Sequence, residues 1–197
     1  MSIWFHTTDK RNIESIFKEG LTDVNTTREY GIGKGVYLAQ GDLDDLTYWI
    51  PSDDPVIIAV EIDDNDLLAD EDSIVGHDTY DVNPKFKDLV VNNKTLSQWS
   101  ELIEDKNGDT SDLLPIVIKA IDKYKIKPQD FIGWLKINTA RYPKSIPPSK
   151  IKAVLVVDNE DNLQEYENQG YYVDWNSDMA MIYPKNPDPD IISLLIA

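Results

Sequence analysis

Trp4-Phe5-His6-Thr7-Thr8 and, further along, Gly33-Lys34-Gly35-Val36-Tyr37-Leu38-Ala39 are the two stretches on which the reading of this chain turns. Each reads as a strand that delivers one polar ring out of an apolar backbone. In the first, alternation puts Trp4 and His6 on one face and Ile3 and Phe5 on the other. Between the two stretches, Ile13, Ile16 and Phe17 recur at helical spacing and form one apolar stripe. Thr8 or Asp9 is placed to cap that helix, and Gly20 to stop it.

The rest of the chain sets bounds on this pair. Its 197 residues suffice for one domain, residues 1–197, with a real core. It has no cysteine and only two histidines, so disulfides, cysteine-bound metals and multi-histidine metal sites are not expected. No signal peptide and no membrane-length apolar run is read, so the expectation is a soluble cytoplasmic protein. The net charge of -17 argues against nonspecific nucleic-acid binding by the whole surface. The charge is unevenly placed: residues 35–84 hold 14 Asp or Glu and no Lys or Arg, whereas residues 119–152 hold 9 basic and 2 acidic residues. That asymmetry reads either as ordinary solvation or as a bipolar molecule whose basic segment faces a phosphate-bearing ligand or target.

Further along, residues 42–48 suggest a short acidic helix, and residues 56–62 a strand apolar enough to be buried on both faces. Residues 63–84 read as acidic and irregular. Helices are expected over 95–104 and 111–125, the second with a core stripe of Leu114, Val117, Ile118 and Ile121. Residues 131–142 suggest one long strand or a strand pair, and 151–157 a strong strand. A helix over 162–168 ends near Gly170, and late strands follow at 171–173 and 180–183. Strands and helices mix without a regular βαβ beat, which predicts an α+β fold.

Several residues could carry chemistry. His6 lies between an apolar strand and two hydroxyl residues. Gly31-Ile32-Gly33-Lys34-Gly35 lacks the spacing and terminal hydroxyl residue of a phosphate loop, so its glycines read as a close backbone approach or a bulge. Tyr37 is either a packed strand tyrosine or an aromatic face for a flat ligand. Tyr48, eleven residues later, would sandwich a ring with it if the acidic helix folds back.

Together these segments resemble the ADP-ribosyltransferase fold of the diphtheria-toxin and poly-ADP-ribose-polymerase branch. That branch opens with His-Gly-Thr on its first strand and continues with a Gly-x-Gly-(Val/Ile)-Tyr-Phe-Ala strand and a second tyrosine eleven residues later. The similarity extends to the RNA 2'-phosphotransferases and to toxin-type transferases that modify DNA. It covers residues 1–62 well and the remainder in outline. It implies two small, mainly antiparallel sheets around a cleft, with helices outside. It also implies a mono-ADP-ribosyltransferase, a glycosyltransferase that uses NAD as substrate and passes ADP-ribose to a macromolecular acceptor. His6 would hydrogen-bond the adenosine-side ribose, the backbone at Thr7, beside Thr8, would hold the carboxamide, and Tyr37 and Tyr48 would stack on nicotinamide. Gly35 would let the strand approach the ligand. Such a site needs positioning and electrostatic support more than covalent catalysis.

Three positions depart from that pattern. Thr7 stands where the branch has glycine, and Asp45 stands where it has a carboxamide-binding serine. The branch's catalytic glutamate would fall near Ala140, yet residues 134–146 contain no Asp or Glu. Asn138 or Thr139 could position the ribose there, and Glu61 or Asp45 could supply a carboxylate if the fold brings one close. Arg141 with nearby lysines instead fits a phosphate-binding site of the RNA 2'-phosphotransferase kind. A third expectation is a noncatalytic nucleotide-binding module, or an acidic inhibitor of a basic partner, on the same fold.

Overall fold

The computed structural model describes residues 1–22, 33–40, 54–71, 84–131, 138–156, 163–175, 180–184 and 189. The protein is α+β. One large antiparallel sheet has eight strands in the order β4-β7-β2-β1-β3-β8-β10-β9, and β5 and β6 form a separate pair. The resemblance implied two small sheets, whereas one of the two sheets found is large and the other is only a two-stranded pair. The described residues divide into two compact units, the first made of residues 1–22, 38–64 and 145–197 and the second of residues 23–37 and 65–144.

In the first unit, β1 (Ser2–Asp9) and β3 (Pro55–Ile62) pair antiparallel over their whole length, from Ser2 opposite Ile62 to Asp9 opposite Pro55. Beyond β3 lies β8 (Ile151–Val156), with Val56 opposite Val156. Flanked on both sides, β3 buries Val56, Ile57, Ile58, Ala59 and Val60 completely, as its unbroken apolar run requires. Each such isoleucine contributes about 1.5–3 kcal/mol by leaving water. Then come β9 (Tyr172–Trp175) and β10 (Ala180–Tyr183), with β10 between β8 and β9. Ile57, Ala59, Ala153, Leu155, Met181 and Tyr183 form one core, and Ile3, Phe5 and Ala39 pack on it. This is the face expected for Ile3 and Phe5. Trp4, on the other face, is buried and donates its indole N–H to Asp64 at 2.9 Å.

The Asp9 carboxylate accepts from the Arg11 amide at 3.0 Å and opens a short 3-10 turn before α1 (Ile13–Glu19). Ile13 and Ile16 are buried, and Phe17 stacks on Tyr171 with ring centroids 4.8 Å apart. Gly20 ends the helix at φ 86, and Leu21 pairs with Ile146. A helix α5 (Gln164–Asn168) precedes β9, close to its expected place.

The second unit has β2 (Val36–Gln40) contributing Val36 and Tyr37, then β4 (Leu68–Ala69), α2 (Pro84–Lys87) and the hairpin β5 (Val90–Val91) and β6 (Lys94–Thr95). The hairpin turns on Asn92 and Asn93, both at positive φ, the geometry that matches strand twist. Thr95 and Gln98 form a capping box that starts α3 (Leu96–Glu104). A second box, Asp109 with Asp112, opens the turn before α4 (Leu114–Tyr124). The buried residues of α4 are Leu114, Val117, Ala120 and Ile121, so the stripe runs through Ala120 where the spacing suggested Ile118. Of the segment 131–142, Asn138–Tyr142 form β7, which pairs with β4, and residues 132–137 lie outside the described residues. The segment read as acidic and irregular contains β4 and a buried run from Leu67 to Glu71. Leu68 and Ala69 join the core of this unit, which outweighs the acidic composition around them. The acidic helix expected over 42–48 lies outside the described residues.

Among the described residues no helix is long and apolar enough to cross a membrane. A side chain at Gly20 would run into the Ile146 carbonyl, at a φ that L residues rarely adopt. Gly20→Ala is therefore expected to lower unfolding stability in urea by at least about 2 kcal/mol, whereas an unchanged midpoint would show that the Leu21–Ile146 pairing does not hold this turn.

Candidate functional site

The stretch Gly33-Lys34-Gly35 leads into β2 and brings three distant side chains together within the second unit. The Gly33 amide donates to Glu71 Oε1 at 3.3 Å, and the Tyr37 hydroxyl lies 3.2 Å from the Gly33 carbonyl oxygen. That hydroxyl also makes a short hydrogen bond with Glu71 Oε1. Arg141, on β7, donates from Nη1 to the Lys34 carbonyl at 2.7 Å and from Nη2 to Asp122 of α4 at 2.8 Å. Its Nε faces Glu71 Oε2 at 3.5 Å, without the alignment of a hydrogen bond. Arg141 is 1% exposed and Glu71 0%.

This packing explains the glycines. A Cβ on Gly33 would lie 2.7 Å from the Tyr37 hydroxyl, 2.9 Å from Glu71 Oε1 and 3.0 Å from Arg141 Nε. At Gly35, with φ +144, a Cβ would press on the Tyr142 carbonyl. The close backbone approach read from the glycines is therefore made to the protein's own buried ion pair.

The electrostatics follow from burial. Loss of water raises the Glu71 carboxyl above its ordinary 4.5, and Asp70 adds to this, outweighing the downward pull of Tyr37 and Arg141. Burial and then Glu71 push the Tyr37 hydroxyl far up, so it stays protonated. Arg141 cannot fully answer Glu71 because it already pairs with the half-exposed Asp122. A phenol has one proton and here two oxygens in reach. The hydroxyl shares that proton between Glu71 Oε1 and the Gly33 carbonyl, both of which accept from it.

Of the residues singled out in the sequence, Gly35, Tyr37 and Arg141 come together here. His6, Thr7 and Thr8 lie on β1 in the first unit, half-buried, opposite Ile58, Ile57 and Val56. Thr8 Oγ1 accepts from Asn12 Nδ2 at 3.0 Å. Asn138 opens β7. Asp45 and Tyr48 lie outside the described residues. Glu61 pairs with Lys152 at 3.0 Å in the first unit. Tyr37 is only 6% exposed, so its ring is packed, and stacking on a ligand would require its face to open. The Arg141 guanidinium, expected on a phosphate, is engaged by Lys34, Asp122 and Glu71. Sequence reasoning missed Glu71 and Asp122. The one signal for Glu71 was the apolar Leu67-Leu68-Ala69 just before it, an interruption that marks burial inside an acidic run.

Among the described residues no group of three or more His, Asp or Glu is placed to hold a metal ion. Compared with family models, curated proteins and solved structures, the chain matches none.

Because Glu71 keeps its proton longer in the folded state than in the unfolded chain, its favourable contribution is complete below 4.5 and declines as pH climbs through the raised value. Glu71→Gln, which cannot ionise, should remove this decline. Urea unfolding of both proteins between about pH 4 and 8 reads it as a stability difference, wild type minus variant, that falls with pH. A pH-independent difference would contradict the assignment. Arg141→Ala leaves Glu71 and Asp122 unanswered and is expected to cost about 3–5 kcal/mol. Adding Glu71→Gln should recover part of that loss, and strict additivity of the two changes would show that the residues do not act as a pair.

Proposed function

We propose that this chain is an NAD-dependent mono-ADP-ribosyltransferase-like protein of the cytoplasm, which cleaves the nicotinamide–ribose bond and passes ADP-ribose to a macromolecular acceptor. The reading starts from the resemblance of the segments around His6 and Tyr37. It is supported by the formation of both as strands, joined through a helix that stops at Gly20. The observation that carries it is the Glu71 carboxyl on the Tyr37 hydroxyl. Residues 134–146 offer no acid, and Glu71 supplies one beside the tyrosine that the resemblance assigns to nicotinamide.

In this reading nicotinamide leaves with the electron pair of its bond to ribose, and positive charge develops on the sugar. The resemblance gives His6 the adenosine-side ribose and Asn138 the other. An ionised Glu71 favours the developing cation. A carboxyl with a raised pKa supplies that charge only at higher pH, so turnover is expected to rise with pH through the same titration that lowers stability.

The test is nicotinamide release from NAD, with a cell extract as acceptor, alongside direct NAD binding. His6→Ala and Tyr37→Ala should each reduce release at least about tenfold, and Glu71→Gln should flatten the pH profile. Wild-type protein that neither binds NAD nor releases nicotinamide would end the proposal. The burial of Tyr37 and Glu71 favours a second reading, a noncatalytic nucleotide-binding module on the same fold. NAD binding without turnover, insensitive to Glu71→Gln, would select it.

A further inference from the structure

Three of the nine basic residues between 119 and 152 converge on one hollow of about 210 Å³ within the second unit. They are Lys125, Lys127 and Lys144, and Asn65, Asp66 and Tyr142 complete its polar lining. Three other described cations of the segment are engaged elsewhere. Arg141 is buried in its ion pairs, Lys123 donates to the Val90 carbonyl at 2.9 Å, and Lys152 pairs with Glu61.

The lining sits on fixed element ends. Lys125 follows α4 in the left-handed conformation, φ 55, with its amide bonded to the Ile121 carbonyl. Lys127 Nζ donates to the carbonyls of Asn65 at 2.5 Å and Leu67 at 3.0 Å, which ties it to the segment entering β4. An ammonium has three donors, so one remains for a ligand. Tyr142 ends β7 and is 7% exposed; burial and then Asp66 raise its pKa, so its hydroxyl stays a donor. Lys144 lies two residues beyond it. The hollow is therefore lined by three lysines and a tyrosine able to donate, by one carboxylate, Asp66, able to accept, and by Asn65, whose amide can do either.

We propose that this hollow binds a small phosphorylated molecule that also carries hydroxyl groups, of the sugar-phosphate or nucleotide-monophosphate kind. The lysines take the phosphate oxygens as point charges. Asp66 repels a bare anion and accepts from a sugar hydroxyl, so it selects for the hydroxyl-bearing ester over inorganic phosphate. The volume is on the scale of one such group. On a chain of net charge -17, this local reversal of sign is what an anionic ligand would need for capture. The proposal is independent of the NAD reading and uses none of its residues.

Calorimetric titration of the full chain with ribose 5-phosphate, adenosine monophosphate, inorganic phosphate and ribose tests it. Both esters should bind, inorganic phosphate about tenfold more weakly, and ribose not at all. Tighter binding of the nucleotide than of the sugar phosphate identifies a nucleotide site, and equal affinities a sugar-phosphate site. Lys144→Gln and Lys125→Asn, the second keeping a residue that tolerates positive φ, should each weaken ester binding about tenfold. Asp66→Asn should narrow the gap between ester and inorganic phosphate. Lys144→Gln should leave NAD binding unchanged, which separates this site from the other. Absence of ester binding, or unchanged ester affinity in the Lys125→Asn/Lys144→Gln double variant with its melting temperature retained, would overturn the proposal.

Discussion

A guanidinium that has lost contact with water must be answered on several sides at once, and Arg141 sets that demand for the second unit. Lys34 answers with a backbone carbonyl, Asp122 with a carboxylate at the surface, and Glu71 with a carboxylate in the interior. The two inner oxygens and nitrogens do not match completely, since Glu71 Oε2 and Arg141 Nε lack hydrogen-bond partners. Such a pair is expensive to bury and more expensive to break. Its presence dictates glycine at 33 and 35, because backbone and ion pair occupy the space where a side chain would stand. It also fixes Tyr37, whose hydroxyl is drawn to Glu71 and not to solvent. The residue most suggestive of ligand binding in the sequence is thus held by an internal acid, and any function of Tyr37 must work through Glu71.

In the first unit the governing constraint is simpler. β3 carries no polar side chain from Val56 to Val60, so it needs neighbours on both edges and layers on both faces. β1 supplies one edge along its full length and β8 the other, with an irregularity of register between Ala59 and Val60. His6, Thr7 and Thr8 inherit their positions from that pairing. They are half-buried, on a strand that lies inside the sheet between β2 and β3.

What the sequence disclosed and what it concealed divide along this physics. Local signals were readable: Asp9 at a helix start, Gly20 at a helix end, alternation along β1, and the unbroken apolar run of β3. Each depends on neighbours a few residues away. The pairing of distant strands was not readable, because setting Leu68 opposite Arg141 is a long-range choice that leaves no mark in either segment. Composition misled over Leu67 to Glu71, where five buried residues sit inside a run dominated by acids. Glu71 itself was invisible as a partner of Tyr37, since a carboxylate beside a tyrosine from 34 residues away obeys no spacing rule. Arg141 was found but given the opposite task. A lone arginine among lysines reads as a surface anion binder, and only the fold shows it turned inward.

The division of the chain into alternating segments has a consequence for its birth on the ribosome. Residues 23–37 and 65–144 complete the second unit before residues 145–197 have been made. The first unit must wait, because β3 pairs with β8 across the whole of that interval, Val56 opposite Val156. Until β8 emerges, β1 and β3 form a hairpin-like ribbon with an apolar strand edge uncovered, the kind of surface that invites pairing with a foreign chain. Of the two units, the one whose strands β1 and β3 are made earlier is therefore the one completed later.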